Sequence, residues 1–204
     1  MSFVNLNGEL LEDSSSYFKA NRAFKYGDGV FESIRIVNGR LISFDAHFKR
    51  LMSALKAIRI NIPNTYTKEF FSENILRLLK ANNISLGAAI RLSVFRDAKG
   101  RYLPDTNKPT FFIEVTPLND NNYKLNSEGI LIDVYKDIKK NINILSSYKT
   151  LNSLINVLAV INAKEKSLDD SLLINENENI IEASSSNIFI VSNGVLYTPS
   201  LEDG

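Results

Sequence analysis

Three Asn-Gly dipeptides punctuate this chain: Asn7-Gly8, Asn38-Gly39 and Asn193-Gly194. Each lies between short apolar runs. Asn and Gly tolerate positive φ, and a two-residue turn with positive φ at both central positions joins antiparallel strands into a hairpin. The first pair predicts strands over residues 3–6 and 9–11. The second predicts a strand over 30–37, rich in β-branched and apolar residues, and a return over 40–44. The third predicts a run over 187–191 paired with Val195–Tyr197. A chain divided in this way must contain antiparallel sheet.

Helical periods separate the hairpins. Asp45 is placed to cap a helix over 46–58, in which Phe48, Leu51, Leu55 and Ile58 recur at three and four. A second helix is expected over 68–82, with Phe71, Ile75, Leu78 and Leu79 on one face. Strands are expected over 88–95 and 110–116. The polar run over 117–122 then breaks the pattern. The expected organisation is an N-terminal α+β domain over 1–116, a linker over 117–124 and a second domain over 125–204. In the second domain the spacing predicts a strand over 130–135 and a helix over 152–166, with Leu154, Ile155, Leu158 and Ile161 inward. Strands over 171–174, 180–183 and 187–191 follow. The density of hairpin signals predicts that this domain is mostly β.

Composition narrows the chemistry. The 204 residues, 44% hydrophobic and 23% charged, suffice for one or two domains with a real core. A formal charge of +1 gives no reason to expect a nucleic-acid partner. No apolar run reaches membrane-spanning length, and the start has no basic segment leading into an apolar one, so a cytoplasmic location without membrane attachment is expected. With no cysteine there is no disulfide and no thiolate metal ligand. One histidine, His47, argues against a metal site or a Ser–His–Asp triad built on histidine.

Lys149 lies between a strand-like run and an amphipathic helix, and Glu182 follows 33 residues later beside Ala183, Ser184 and Ser185. An amine held partly desolvated in a cleft loses its proton more readily and can attack a carbonyl to form a Schiff base. A carboxylate can keep a pyridine nitrogen protonated and the ring electron-withdrawing. Small residues beside Glu182 let a flat ring approach the backbone. The bland alternative is a surface lysine and a solvated strand-end carboxylate, which is what most such residues are.

Four strings decide between these readings. They are Phe24 through Arg35, His47-Phe48-Lys49-Arg50-Leu51, Tyr148-Lys149-Thr150-Leu151-Asn152, and Glu182 through Phe189. In this order and spacing the chain resembles the fold-type IV pyridoxal-phosphate enzymes, the class IV aminotransferases. That group holds branched-chain aminotransferases, D-amino-acid aminotransferases and aminodeoxychorismate lyases. The resemblance implies two α/β domains with pyridoxal 5′-phosphate in the cleft between them, and a homodimer with shared active sites. It implies that Lys149 carries the cofactor, that Glu182 meets the ring nitrogen and that Arg50 holds the phosphate. His47 is expected to be structural. Ser185, Ser186 and Asn187 are expected near the cofactor, although a Ser-rich turn can be only a turn. The resemblance places Tyr26 at the mouth of the site. Arg96 and Arg101, in a polar loop, are candidate forks for a substrate carboxylate.

The resembled proteins continue past the point that corresponds to Gly204 with a turn and helix that contact the phosphate. The second domain is therefore expected to be truncated. The expected activity is transfer of an amino group between an amino acid, with branched-chain ones as candidates, and a 2-oxo acid. The runner-up is elimination of pyruvate from aminodeoxychorismate on the same scaffold. A relic that kept the fold without the chemistry is the alternative from another class.

Overall fold

All three Asn-Gly pairs adopt the turn expected of them. In the computed structural model, which describes residues 3–12, 21–118, 121 and 123–204, φ is 51° and 90° at Asn7-Gly8, 48° and 72° at Asn38-Gly39, and 49° and 77° at Asn193-Gly194. Positive φ at both central residues is the type I′ geometry. These turns join β1 (Phe3–Leu6) to β2 (Glu9–Glu12), β3 (Gly29–Val37) to β4 (Arg40–Leu41), and β10 (Ile190–Ser192) to β11 (Val195–Tyr197).

The described residues form two units. The first runs up to Tyr123 and includes Tyr148–Leu151; the second comprises Lys124–Ser147 and Asn152–Gly204. The first is built on an antiparallel sheet in the order β2-β1-β6-β5-β3-β4, with β5 at Gly87–Arg96 and β6 at Pro109–Leu118. Pro117 and Leu118, read from sequence as part of a breaker, finish β6. Asn119, Asp120 and Asn122 of that run lie outside the described residues.

Strand alternation sorts the sheet's two faces. Val30, Ile34 and Ile36 of β3, Ile90, Leu92 and Val94 of β5, and Phe111 and Ile113 of β6 are buried. Helices α2 (Phe44–Ala57) and α3 (Lys68–Ala81) bury Leu51, Leu55, Phe71, Ile75 and Leu78 in the same core. Phe71 sits among aromatic rings: Tyr66, Phe70 and Phe111 lie edge-on to it at 5.0, 5.4 and 5.2 Å. Burial there raises the pKa of the Tyr66 hydroxyl above its ordinary value.

Three local expectations are corrected. The return strand stops at Leu41, and α2 starts at Phe44 after Ser43 turns into the left-handed region at φ 53°. Asp45 is therefore not the cap. It stands in the first helical turn, where a carboxylate favours the dipole, and pairs with Lys68 at 2.8 Å. A short helix, α1 (Arg22–Tyr26), was not foreseen. Asn21 caps it by accepting from the Ala23 N–H at 2.7 Å, and Gly27 ends it in the left-handed region.

In the second unit, β7 (Ile132–Lys140) pairs in parallel with β8 (Asp170–Asn175), and β9 (Ile180–Ala183) pairs antiparallel with β8. Helix α4 (Leu154–Glu165) lies between β7 and β8 in sequence. The parallel pair shows that this unit is a mixed α/β arrangement, as the resemblance implied, rather than the mostly β one that hairpin density suggested. The buried residues of α4 are Ala159 and Ala163, with Ile155 and Leu158 partly buried beside them. Leu154 and Ile161, expected inward, are 69% and 47% exposed. The helix is apolar nearly all round, so periodicity does not choose its face. The alanines do, because they let the backbone approach β8 closely enough for the Ser171 hydroxyl to donate to the Ala159 carbonyl at 3.0 Å. No helix among the described residues is long and apolar enough to cross a membrane.

Phe71→Ala should leave a cavity in the aromatic cluster and cost about 3–5 kcal/mol. Chemical denaturation followed by circular dichroism checks this. An unchanged midpoint would mean the cluster is not the core of the first unit.

Candidate functional site

Lys149 is positioned by backbone rather than by side-chain packing. Residues Tyr148–Leu151 lie along the open edge of β3. The Phe31 N–H donates to the Lys149 carbonyl at 2.8 Å, the Leu151 N–H donates to the Gly29 carbonyl at 3.0 Å, and Val30 and Thr150 form an antiparallel bridge. Gly29 permits this docking. A Cβ there would stand 2.6 Å from the Phe95 Cβ, 2.7 Å from the Val94 carbonyl oxygen and 2.8 Å from Leu151 Cδ1. The Lys149 side chain is exposed, with Nζ 5.6 Å from the centre of the Phe31 ring. The Phe31 ring is an apolar neighbour of this amine within the first unit.

The three-residue spacing of His47 and Arg50 puts both on one side of α2. Both reach the carboxylate of Glu32, which is 1% exposed. His47 Nδ1 lies 2.7 Å from Glu32 Oε2, and Arg50 Nε donates to Oε1 at 2.7 Å while Nη2 donates to Oε2. The bond to Glu32 holds the Arg50 guanidinium above its ordinary pKa. Two of the five guanidinium N–H groups are engaged here. Three remain to face an anion, and the side chain is 38% exposed. Sequence reasoning assigned Glu32 no role. The signal was present: on β3 it shares the inward face with Val30 and Ile34, and a buried carboxylate needs cationic or N–H partners.

Glu182 lies near the end of β9 and forms an ion pair with Lys140, at the end of β7. Lys140 was also missed. The carboxylate offers more lone pairs than one ammonium uses, so Glu182 can still accept from another donor. The following turn is tied down. The Ala183 N–H donates to the Ser186 carbonyl at 2.8 Å, Ser184 is buried with its hydroxyl on Asp170, and Asn156 donates to the Ser184 carbonyl at 2.8 Å. Ser185, Ser186 and Asn187 are exposed on it.

The two loop arginines differ. Arg96 is 7% exposed, and its guanidinium is spent internally. Nε donates to Asp28 at 3.0 Å, Nη2 to the Ile58 carbonyl at 2.7 Å, and Nη1 to the Arg59 carbonyl at 3.2 Å and to Asn107. Arg96 is thus a structural anchor and not a carboxylate fork. Arg101 is exposed, and beside it the Tyr102 ring lies 5.7 Å from that of Tyr26.

Residues 29–204 match the family model for class IV amino-transferases. A protein of Methanocaldococcus jannaschii, provisionally named a branched-chain-amino-acid aminotransferase, is 33% identical over 96% of this chain and 67% of its own length. The D-alanine aminotransferase of Staphylococcus epidermidis is 29% identical, over 97% of this chain and 69% of its own length. The aminodeoxychorismate lyase of Bacillus subtilis is 28% identical, over 98% and 68%. The crystal structure of the branched-chain aminotransferase of Thermoproteus uzoniensis with norvaline superposes with a TM-score of 0.82 at 28% identity, covering all of this chain and 69% of the other.

Gly29→Ala should loosen the docking of Tyr148–Leu151, because overpacking of this kind costs about 1–3 kcal/mol. Hydrogen exchange reads it directly: the Phe31 and Leu151 amides should exchange faster, while those of β5 and β6 change little. Equal protection in the variant would show that the close approach at Gly29 is not what holds Lys149.

Proposed function

The chain belongs to the class IV amino-transferase family, and we propose that it moves an amino group between an amino acid and a 2-oxo acid with Lys149 as the catalytic residue. The observation that carries this is the backbone clamp on Lys149, which fixes its Cα on the edge of β3 while leaving Nζ open to reaction. The family works through pyridoxal 5′-phosphate. When bound, that group supplies a carbonyl that takes up amines and a protonated ring that withdraws electrons from the substrate Cα.

The donor set fits this group: a primary amine, a guanidinium with N–H groups to spare and a carboxylate with lone pairs to spare. Lys149 Nζ would hold the group covalently, and the same nitrogen would serve as the base that takes the proton from the substrate Cα and hands it back. Arg50 presents a planar fork to the phosphate, oriented from behind by Glu32. Glu182 would accept from the ring nitrogen, with Lys140 helping to keep its carboxylate in place. Exposed Ser185, Ser186 and Asn187 offer further hydroxyl and amide contacts, and Tyr26 and Arg101 serve the substrate. A homodimer is the working form that the family resemblance supports.

A branched-chain amino acid is the first donor to test, because the relative with 33% identity carries that name. The lyase reading stays beside it, since a lyase is 28% identical over almost the whole chain and needs the same lysine and carboxylate. An inactive relic is disfavoured by the retention of Lys149, Arg50 and Glu182 together. The deciding experiment follows the visible cofactor band while the protein meets amino acids with 2-oxo acids, and separately aminodeoxychorismate. Amino transfer supports the proposal. Pyruvate release alone supports the lyase, and a silent band supports the relic.

Two variants test the roles. Lys149→Ala should lose the borohydride-reducible cofactor linkage; a linkage that persists at another lysine overturns the assignment. Arg50→Ala should weaken cofactor binding by roughly ten- to a hundredfold, since a charge-assisted hydrogen bond contributes about 1.5–3 kcal/mol. Unchanged affinity in a titration of the cofactor-free protein would reassign Arg50 to a purely structural partner of Glu32.

A further inference from the structure

Arg22 is buried, with its side chain 5% exposed, and nothing in the proposed chemistry uses it. Its guanidinium nevertheless touches the elements that carry Tyr26 and Arg101. Nε donates to Asp28 Oδ2 at 2.6 Å. Nη1 donates to the carbonyls of Gly100 and Arg101 at 3.2 and 2.6 Å, and Nη2 to that of Tyr102 at 3.4 Å. Cζ lies 4.9 Å from the centre of the Tyr26 ring, which in turn meets Tyr102. One cation therefore gathers three successive carbonyls of the 97–108 loop. It turns them inward, and the Arg101 side chain stays exposed. The loop needs such a hold. Gly100 sits at φ +94°, with a hypothetical Cβ only 2.4 Å from the Leu103 carbonyl oxygen. The loop's own bonds, from the Lys99 N–H to Asp105 at 2.9 Å and from the Asp105 N–H to the Lys99 carbonyl at 3.3 Å, close the turn at residues 99 and 105 and leave the carbonyls of residues 100–102 to Arg22.

The charges explain why a second arginine is tolerated here. Asp28 is shared by Arg22 and Arg96, so one carboxylate faces two buried cations. The excess positive charge is balanced by carbonyl oxygens, those of residues 100–102 for Arg22 and those of Ile58 and Arg59 for Arg96. Pulling the loop away would leave Arg22 buried and undercompensated, which makes the loop's conformation a condition of the charge being there at all.

We infer that Arg22 is a positioning residue for substrate: by fixing the Gly100–Tyr102 backbone against Tyr26, it holds the Arg101 guanidinium ready for the carboxylate of an amino-acid or 2-oxo-acid substrate. This rests on the aminotransferase reading and on Arg101 meeting substrate. Fork geometry is required, because an ammonium at the same place can serve Asp28 but cannot also span three carbonyls.

The test uses Arg22→Lys, Arg101→Ala and their combination in the full chain. Arg22→Lys keeps the charge beside Asp28 and so preserves the fold. It should raise KM for the amino donor about tenfold with kcat within about twofold, the signature of lost positioning. In the Arg101→Ala background the same change should add less than about twofold, because a residue acting through Arg101 has nothing left to position. Equal factors in both backgrounds overturn the proposal. A second readout needs neither substrate nor cofactor: tryptic cleavage after Lys99 and Arg101 should quicken about tenfold in Arg22→Lys as the turn opens. If Arg101→Ala leaves KM unchanged, the carboxylate reading of Arg101 fails and takes this inference with it. If Arg101→Ala raises KM but trypsin cuts Arg22→Lys no faster than the parent, the inference about Arg22 fails alone.

Discussion

The first unit depends on what β3 does with its three surfaces. One face supplies Val30, Ile34 and Ile36 to the core, and in the same row the carboxylate of Glu32. The opposite face presents Phe31. The free edge binds Tyr148–Leu151 through two main-chain hydrogen bonds. A side chain could not place Lys149 so firmly by itself, because a lysine has four rotatable bonds and loses much entropy when it is held. Pairing the backbone removes that freedom at the Cα and leaves it at Nζ, where the proposed roles of Lys149 call for movement. The price is strict sterics at Gly29, where the edge segment and β5 crowd the strand together.

Buried charge in this unit comes in compensated sets. Glu32 answers His47 and Arg50, and Asp28 answers Arg22 and Arg96. Sets like these add little to stability over apolar residues of the same size, because desolvation offsets most of the attraction. What they fix is direction. Glu32 takes one edge of Arg50 and so aims the other. Asp28 holds two guanidinium groups at the point where α1 gives way to β3, and each then reaches a different stretch of main chain. Removing Asp28 would leave two cations buried without their counter-charge, and removing Glu32 would free the Arg50 guanidinium it aims, which is why these acids and arginines must be considered together.

Much of this was legible in the sequence, and the reason differs by element. The Asn-Gly turns were legible because positive φ is a property of the residues themselves. The strands of the first sheet and helices α2 and α3 were legible because one buried face imposes a period. Where no period selects a face, legibility fails: α4 is apolar on several sides, and only its fit against Ser171 shows that Ala159 and Ala163 lie inward. The parallel pairing of β7 and β8 was hidden because strand spacing carries no direction. Helix α1 is too short for a period. Charged partners were the hardest to see. Lys140 and Glu182 are 42 residues apart and Glu32 and Arg50 are 18 apart, so only the fold reveals that they meet. Arg96 and Arg101 look alike in a polar loop, yet one ends a buried strand and the other lies past its turn.

That last contrast bears on how relatives with different activities share one scaffold. The 97–108 loop is closed at its base, where Arg96 is bound inside and the Asp97 N–H donates to the Lys108 carbonyl at 2.8 Å. Between these anchors the main chain must keep its carbonyls on Arg22, but exposed side chains such as that of Arg101 can change without disturbing the sheet, and specificity residues concentrate in such loops for that reason. Lys149, Glu32 and Arg50 have no comparable freedom, since each is tied to β3. A family organised in this way should keep its cofactor chemistry while its substrates diverge, and the three named relatives, two aminotransferases of different amino acids and a lyase, differ in that respect at nearly equal identity to this chain. Overall identity therefore ranks them poorly. On the proposed reading, the loop that Arg22 holds is the better guide to the substrate, because it presents an exposed guanidinium able to fork a carboxylate outside the sheet.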